Sequence, residues 1–413
     1  MTTRLELEEK WKGILAARGR IAPDYGGFSS SALPGAVRRF LGGRTADSFA
    51  GRLLSSRQGE RVLLVVLDGL GYNALRRAGR RLPFLAGCTE DGDLLPVTTV
   101  FPSTTSAALT TLHSGKLPGE HGLMEWYLYI QEIEMLLESL PFSPLLPSDR
   151  ERFDREERSP RMLYDGRTIY SKLSADGIRS AVLQPQATAR SIFTKLITRG
   201  ADTGGYDSLP SALAMLEDMM AGGRHGFIHF YYPGIDTAGH IYGPSSAEYM
   251  EEMRKMDAFL ASLSASAARH RTSIVMTSDH GQVDVRPDEL FMLNDLEGFD
   301  GKLAKDSYGP VQPYGSSRDV ILKAGEDPQD FAGWLRDRLG GRADVFMSGE
   351  LASEGLFGSS ISARARSRMG DIWILPHGAG NVWYRHYAGE RFRFLGVHGG
   401  MTGEEMIVPL LIR

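Results

Sequence analysis

The chain has 413 residues, 42% of them hydrophobic and 24% charged, an ordinary globular balance that can bury a sizeable core. Its formal net charge of -4 provides no electrostatic footprint for long stretches of nucleic-acid backbone, so the expected partner is a small molecule. Cys88 is the only cysteine, which excludes disulfides within the chain and makes the cytoplasm the default compartment.

The first twenty residues, MTTRLELEEKWKGILAARGR, carry charge throughout and lack the apolar stretch of a secretory signal, so no export is expected. No run approaches the roughly 18 to 20 uncharged apolar residues that span a membrane, and no membrane partner is expected. The first apolar β-branched run, Arg61 to Leu67 (RVLLVVL), reads as a buried strand. In VTTVFPSTTSAALTTLHSG, Pro102 halts an extended segment, and the Ser/Thr cluster after it is suited to cap a helix through SAALTTLHSG. A stretch at about 123–161 mixes aromatics with the charge run SDRERFDREERSPR, expected to be a solvated loop or helix face.

Helical patterns over Ser211 to Ala221 and Ala247 to Leu263 alternate with apolar runs at Gly226 to Tyr232 and Arg271 to Thr277. That alternation predicts a parallel α/β sheet, joined at its end by Met406 to Ile412. A second stretch without this rhythm, about 287–394, contains GLFGSSISARARSR, whose basic residues are expected to be solvated rather than phosphate-binding. The two irregular stretches, 123–161 and 287–394, are the expected pocket-forming insertions in a single catalytic domain spanning 1–413.

Asp68, Asp236 and Asp279 each follow an apolar run, and in open parallel sheets ligands sit beyond the carboxyl ends of the strands. Three carboxylates in one crevice repel one another, which raises their pKa values or demands a countercharge that a divalent metal would supply. In GIDTAGH, Asp236 and His240 are four residues apart and share one face of a helical turn. Asp279 and His280 are adjacent, and His398 lies between glycines in GVHGG. Donors of this kind favour zinc, with manganese and iron also compatible. His113, His225, His229, His270 and His386 lack such company and read as satisfied core or surface residues. A hydroxyl at the N-terminus of the SAALTTLHSG helix would meet a phosphate at free N–H groups, and metal coordination would make it nucleophilic.

Asp68 in LDGLG, FPSTT followed by SGKLPGEHG, GIDTAGH, SDHG and GVHGG occur in the order and rough spacing of the type I phosphodiesterase/nucleotide pyrophosphatase family, which this chain resembles from about residue 61 to the end. The resemblance implies an alkaline-phosphatase-like three-layer sandwich: a mixed, mostly parallel sheet with helices on both faces. It implies two zinc ions, one held by Asp236, His240 and His398, the other by Asp68, Asp279, His280 and the nucleophile. Matching SGKLPGEHG without gaps puts the nucleophile at Thr105, with Thr104 as the fallback. The implied activity is phosphodiester or pyrophosphate hydrolysis of small nucleotide-like substrates through a phospho-threonine. A phosphonoacetate-hydrolase-like or phosphomonoesterase activity is the second expectation, and a catalytically inactive metal-binding protein is the alternative of a different class. One departure concerns the asparagine of eukaryotic-type members, where HGLMEW here has Glu125 and Trp126. The ending HGGMTGEEMIVPLLI also resembles cofactor-independent phosphoglycerate mutases, whose serine nucleophile motif has no match here. The sequence sets no oligomeric state.

Overall fold

The computed structural model describes residues 19–155 and 158–413. The charged N-terminal segment therefore lies almost wholly outside the described residues. Seven strands form the main sheet: β1 (Arg61–Leu67), β2 (Leu94–Thr98), β3 (Ser180–Pro185), β4 (Asp202–Tyr206), β5 (Phe227–Tyr232), β6 (Thr272–Thr277) and β7 (Ile407–Ile412). Their order is β2-β7-β6-β1-β5-β3-β4. β1 runs parallel to β5 and β6, and β3 runs parallel to β4 and β5. Only β7 runs against its neighbours β2 and β6.

Strand alternation sends β1 side chains to two cores. Leu63, Val65 and Leu67 join one apolar cluster with residues of the helices Pro83–Glu90, Leu209–Ala221 and Ala247–Arg269. Val62, Leu64 and Val66 join another with the helices Leu33–Phe40, Thr105–Ser114 and Ile169–Ala175. A strand buried on both faces must be apolar throughout, which is why RVLLVVL does not alternate. The result is three layers with helices on both faces of the sheet. Among the described residues no helix is long and apolar enough to cross a membrane.

The two irregular stretches pair with each other. Tyr127–Ile130, Met135–Glu138 and Ser143–Pro144 from the first join Tyr314–Ser316, Asp319–Leu322, Ala343–Met347 and Ile372–Pro376 from the second in a separate seven-stranded antiparallel sheet. The seam is the pairing of Tyr127 with Gly315.

The charge run is solvated for the most part, with Arg150 pairing with Asp154 at 2.9 Å across one turn of an exposed helix. Arg152 departs from that reading: its guanidinium lies 3.6 Å over the Tyr308 ring and donates to the Ile133 and Glu134 carbonyls. The expected solvation also fails for one residue of GLFGSSISARARSR. Arg366 is exposed and Arg364 pairs with Asp165, but Arg368 is only 1% exposed and donates to the carbonyls of Gly122, Leu163 and Met162. Carbonyls left over at helix ends need donors, and a guanidinium brings five.

Candidate active site

Each expected acid sits where a main-sheet strand ends. The Asp68 amide continues the ladder to the Tyr232 carbonyl at 2.9 Å, and Gly69, at φ +73°, then turns the chain away. Asp236 lies in the first turn of the helix Gly234–Tyr242 that follows β5, and His240 comes one turn later. Asp279 and His280 follow β6 directly, and His398 follows the short strand Gly396–Val397.

These six residues converge. His280 Nε2 lies 3.3 Å from Asp68 Oδ1 and 3.5 Å from Asp279 Oδ2. His240 Nε2 is 3.3 Å from Asp236 Oδ2, and His398 Nε2 is 3.8 Å from Asp236 Oδ1. The His280 and His398 rings stack at 3.6 Å. Donor atoms lie within 4.8 Å of one another in two groups, Asp236 with His280 and His398, and Asp68 with Asp279 and His280. His280, expected on one side only, thus stands between the two groups, while His240 approaches from beyond Asp236.

The histidines are fixed in one tautomer. Nδ1 of His240, His280 and His398 meets the carbonyls of Gly396 (2.7 Å), Gly281 (3.1 Å) and Ser103 (3.2 Å) respectively. A carbonyl only accepts, so each Nδ1 carries a proton, which leaves a lone pair on Nε2 of a neutral His280 or His398, whereas His240 Nε2 is in ion-pair range of Asp236. Burial pushes His280 down to about 4, and burial together with His280 pushes His398 down to about 3, which keeps both neutral. For His240, burial is outweighed by Asp236, which raises it. Burial and the other acids raise Asp68 well above the carboxylate range, and burial lifts Asp279 to about 6. Burial also acts on Asp236, but His240 and His398 overcome it and hold that carboxyl low.

Asp68 Oδ1 and Asp279 Oδ2 are buried without a hydrogen-bond partner. Orphaned buried carboxylate oxygens facing neutral imidazole lone pairs fit a divalent cation, and the His/Asp donor set suits zinc. Two neighbours orient the acids: the Tyr231 hydroxyl donates to Asp68 Oδ2, and Gln282 Nε2 donates to Asp236 Oδ1 at 2.5 Å. Sequence reading missed both, because nothing in FIHFYY or HGQVD distinguishes the residues that face the site.

The two candidate threonines have separate duties. Thr104 takes extended backbone angles as N-cap of the helix Thr105–Ser114, and its hydroxyl donates to the Met124 carbonyl at 2.9 Å. Thr105, the first helical residue, places Oγ1 3.0 Å from His280 Nε2. Thr104 is 2% exposed and Thr105 half-buried, and both line a cavity of about 300 Å³.

At the departure from the family's asparagine, Glu125 turns inward and Trp126 outward. Glu125 is buried with its Oε2 accepting from the Trp126 amide at 2.9 Å. Burial and Asp319 push Glu125 well above the carboxylate range, and burial lifts Asp319 to about 7. Asp319 is another residue that sequence reading missed, since it reaches the site only through the second sheet.

The remaining histidines mostly behave as expected. His113 meets the Tyr170 hydroxyl at 2.6 Å, His225 meets Asp202 at 3.0 Å, and His386 meets the Pro313 carbonyl at 2.9 Å; His270 closes the helix Ala247–Arg269. His229 is buried but not satisfied: neither ring nitrogen has a hydrogen-bond partner, and its ring lies 4.5 Å from that of His113. It sits in the middle of β5, inside the core, with His113 close by but not bonded to it.

The model of the family "Type I phosphodiesterase / nucleotide pyrophosphatase" matches residues 62–401, a span that takes in every residue of the site. The chain belongs to this family. It is 23% identical over 257 residues to human ectonucleotide pyrophosphatase/phosphodiesterase family member 1, a match covering 60% of this chain and 26% of that protein. With human family member 7 it shares 34% identity over 92 residues, 20% of each chain. The chain thus spans about a quarter or less of the curated relatives it matches. Among solved structures, murine ectonucleotide pyrophosphatase/phosphodiesterase 5 superposes with a TM-score of 0.63 at 16% identity, covering 85% of this chain and 87% of that one. An inactive variant of the same murine protein, solved in complex with AMP, superposes equally well. These neighbours establish the alkaline-phosphatase-like fold.

Proposed function

We propose that this protein is a metal-dependent hydrolase that cleaves phosphodiester or pyrophosphate bonds of small, nucleotide-like substrates through a phospho-Thr105 intermediate. The observation that carries the reading is the set of three imidazoles whose Nδ1 atoms are tied to backbone carbonyls, with Thr105 Oγ1 3.0 Å from one of the Nε2 atoms they leave free. Family membership supports phosphodiester chemistry.

Asp236, His240 and His398 would hold one divalent ion, and Asp68, Asp279, His280 and Thr105 a second. Zinc fits this donor set best, and manganese or iron is compatible. Bound there, the ions neutralise phosphoryl charge and lower the pKa of the threonine hydroxyl. Thr105 Oγ1 then attacks phosphorus in line and displaces the leaving oxygen, forming a Thr–O–P bond. Water cleaves that bond from the opposite side and restores the hydroxyl. The N-terminal N–H groups of the helix Thr105–Ser114 add positive potential beside the anion.

Metal analysis of the purified protein should find divalent ions, and chelation should remove turnover of bis(p-nitrophenyl) phosphate. Faster turnover of p-nitrophenyl phosphate or of a phosphonate would replace the diesterase reading with the monoesterase or phosphonate one. Bound metal without turnover of any of these would leave a metal-binding protein without catalysis.

A further inference from the structure

Glu125 and Asp319 meet beside the seam of the second sheet, two residues before Tyr127 and four after Gly315. Both side chains are fully buried, and the two carboxyl groups hydrogen-bond to each other. Each has one oxygen served by a nearby donor. Glu125 Oε2 accepts from the Trp126 amide at 2.9 Å, and Asp319 Oδ1 accepts from the Ser316 amide at 3.1 Å and from the Ser316 hydroxyl. The oxygens that remain, Glu125 Oε1 and Asp319 Oδ2, are buried and receive no N–H or hydroxyl donor. The Thr104 hydroxyl faces Glu125 as well, but its proton goes to the Met124 carbonyl.

Two ionised carboxylates cannot share a buried site without something between them. Among the described residues no cation is placed to do this. Arg318, next to Asp319 in the chain, is committed to both Glu405 oxygens and to the Gly378 and Gly380 carbonyls. Glu405 adds negative charge on the Asp319 side, and neither acid belongs to a group of donors close enough to hold a metal. A single proton satisfies both orphaned oxygens, since a protonated carboxyl donates where an ionised one accepts.

The pair also connects the two halves of the site. On one side, the main chain at Glu125 holds the start of the Thr105 helix: the Met124 carbonyl accepts from Thr104 at 2.9 Å, and the Glu125 carbonyl accepts at 2.8 Å from Ser139 Oγ, which lies 3.0 Å from Ser106 Oγ. On the other, the Ser316 hydroxyl lies 3.3 Å from the His398 carbonyl, and a Cβ on Gly399 would lie 3.0 Å from Asp319 Oδ1. We propose that Glu125 and Asp319 share one proton as a carboxylic acid–carboxylate pair, and that this bond positions the Thr105 helix against the His398 loop. The two are positioning residues, and their role rests on the reading of Thr105 as nucleophile and His398 as metal ligand.

The infrared spectrum of the metal-loaded protein at neutral pH should contain the C=O stretch of a protonated carboxylic acid that is missing from the double replacement Glu125→Gln, Asp319→Asn. Identical spectra would overturn the shared proton, whether or not the protein turns a substrate over. A divalent ion lost in Glu125→Gln would overturn it too, by putting a cation between the two groups. Turnover of bis(p-nitrophenyl) phosphate tests the positioning. Glu125→Gln still offers an N–H toward Asp319 and an oxygen to the Trp126 amide, so kcat should stay within a few-fold of the unaltered protein. Glu125→Leu fills a similar volume without the bond and should lower kcat on the order of 10²-fold, the scale of misplacing reacting groups by about 1 Å, with KM and metal content little changed. Equal rates in Glu125→Leu and Glu125→Gln, or a loss carried by KM, would overturn the positioning role while the unaltered protein's turnover leaves the hydrolase reading intact. The infrared comparison uses only near-isosteric amides, so it decides even where Glu125→Leu does not fold.

Discussion

Thr105 Oγ1 lies 3.0 Å from His280 Nε2, whereas the hydroxyl of the preceding residue is committed to the Met124 carbonyl. Two adjacent threonines, alike in sequence, are thereby divided into one whose hydroxyl faces His280 and one that caps the helix. Thr105→Ala should lower diester turnover on the order of 10³-fold or more, the usual scale for a lost nucleophile, and Thr105→Ser should retain measurable turnover. Thr104→Ala should keep most of the activity but lose about 1–2 kcal/mol of stability, because the N-cap disappears and a buried carbonyl loses its donor. Initial rates and urea midpoints for the three variants check this, and the opposite pattern would move the nucleophile to Thr104.

Asp68 and Asp236 each keep one oxygen occupied by a protein donor, Tyr231 and Gln282 respectively. Donors of this kind aim a ligating carboxylate and hold it in one rotamer. Tyr231→Phe and Gln282→Leu should each weaken metal affinity about 10- to 100-fold. Competition against a graded series of chelators reads that directly. Metal retention equal to that of the unaltered protein would show that the two side chains pack against the acids without orienting them.

The parts of this molecule that local sequence could disclose are those whose role is decided locally. β1, β5, β6 and β7 are mostly buried and appear as runs dominated by apolar residues rather than as alternating ones. The acids that follow β1, β5 and β6 are legible because the ends of parallel strands are where ligands collect. β4, with the sequence DTGGY, gives no such signal: it is an exposed edge strand placed by its pairing with β3. The second sheet was hidden for a related reason, since its seam joins Tyr127 to Gly315 across nearly half of the chain, and no local pattern records so distant a partner. Tyr231, Gln282 and Asp319 became visible only once tertiary packing had fixed which face each presents.

The glycine after His280 is required by backbone approach. A Cβ on Gly281 would lie 2.0 Å from the Glu404 carbonyl oxygen and 2.7 Å from Gly71 Cα, both of them main-chain atoms. No side-chain rotation can relieve that contact, so the Asp279–His280 loop would have to move. Gly281→Ala should cost about 1–3 kcal/mol, the range for overpacking a tight interior, and should empty the neighbouring metal position. Gly87, inside the helix Pro83–Glu90, meets nothing within 4 Å; Gly87→Ala should leave metal content unchanged and raise stability by about 0.5–1 kcal/mol. Denaturant midpoints with metal analysis separate the two outcomes, and a fully loaded Gly281→Ala protein would contradict the packing argument.

Arg318 and Glu405 join the second sheet to the loop that carries His398. The guanidinium reaches both carboxylate oxygens, at 2.9 and 3.0 Å, with both side chains fully buried. Arg318 also donates to the carbonyls of Gly378 and Gly380, while Glu405 accepts from the Gly400 and Thr402 amides. Arg318→Met would leave Glu405 buried and unpaired, at a cost of about 3–5 kcal/mol. The double replacement Arg318→Met, Glu405→Met should recover most of that stability, since an apolar pair often matches a buried ion pair. It should not recover metal affinity, because the Gly400 and Thr402 amides lose the acceptor that shapes the His398 loop. Burial pushes the Glu405 carboxyl up, but Arg318 outweighs it and holds the group below its usual value. A folded-state value below the unfolded one contributes stability above the unfolded pKa, and that contribution is lost as pH falls through the folded value. Urea midpoints followed from neutral pH into acid should therefore fall more steeply for the unaltered protein than for the double variant. Parallel curves would mean that Glu405 contributes no proton linkage to folding.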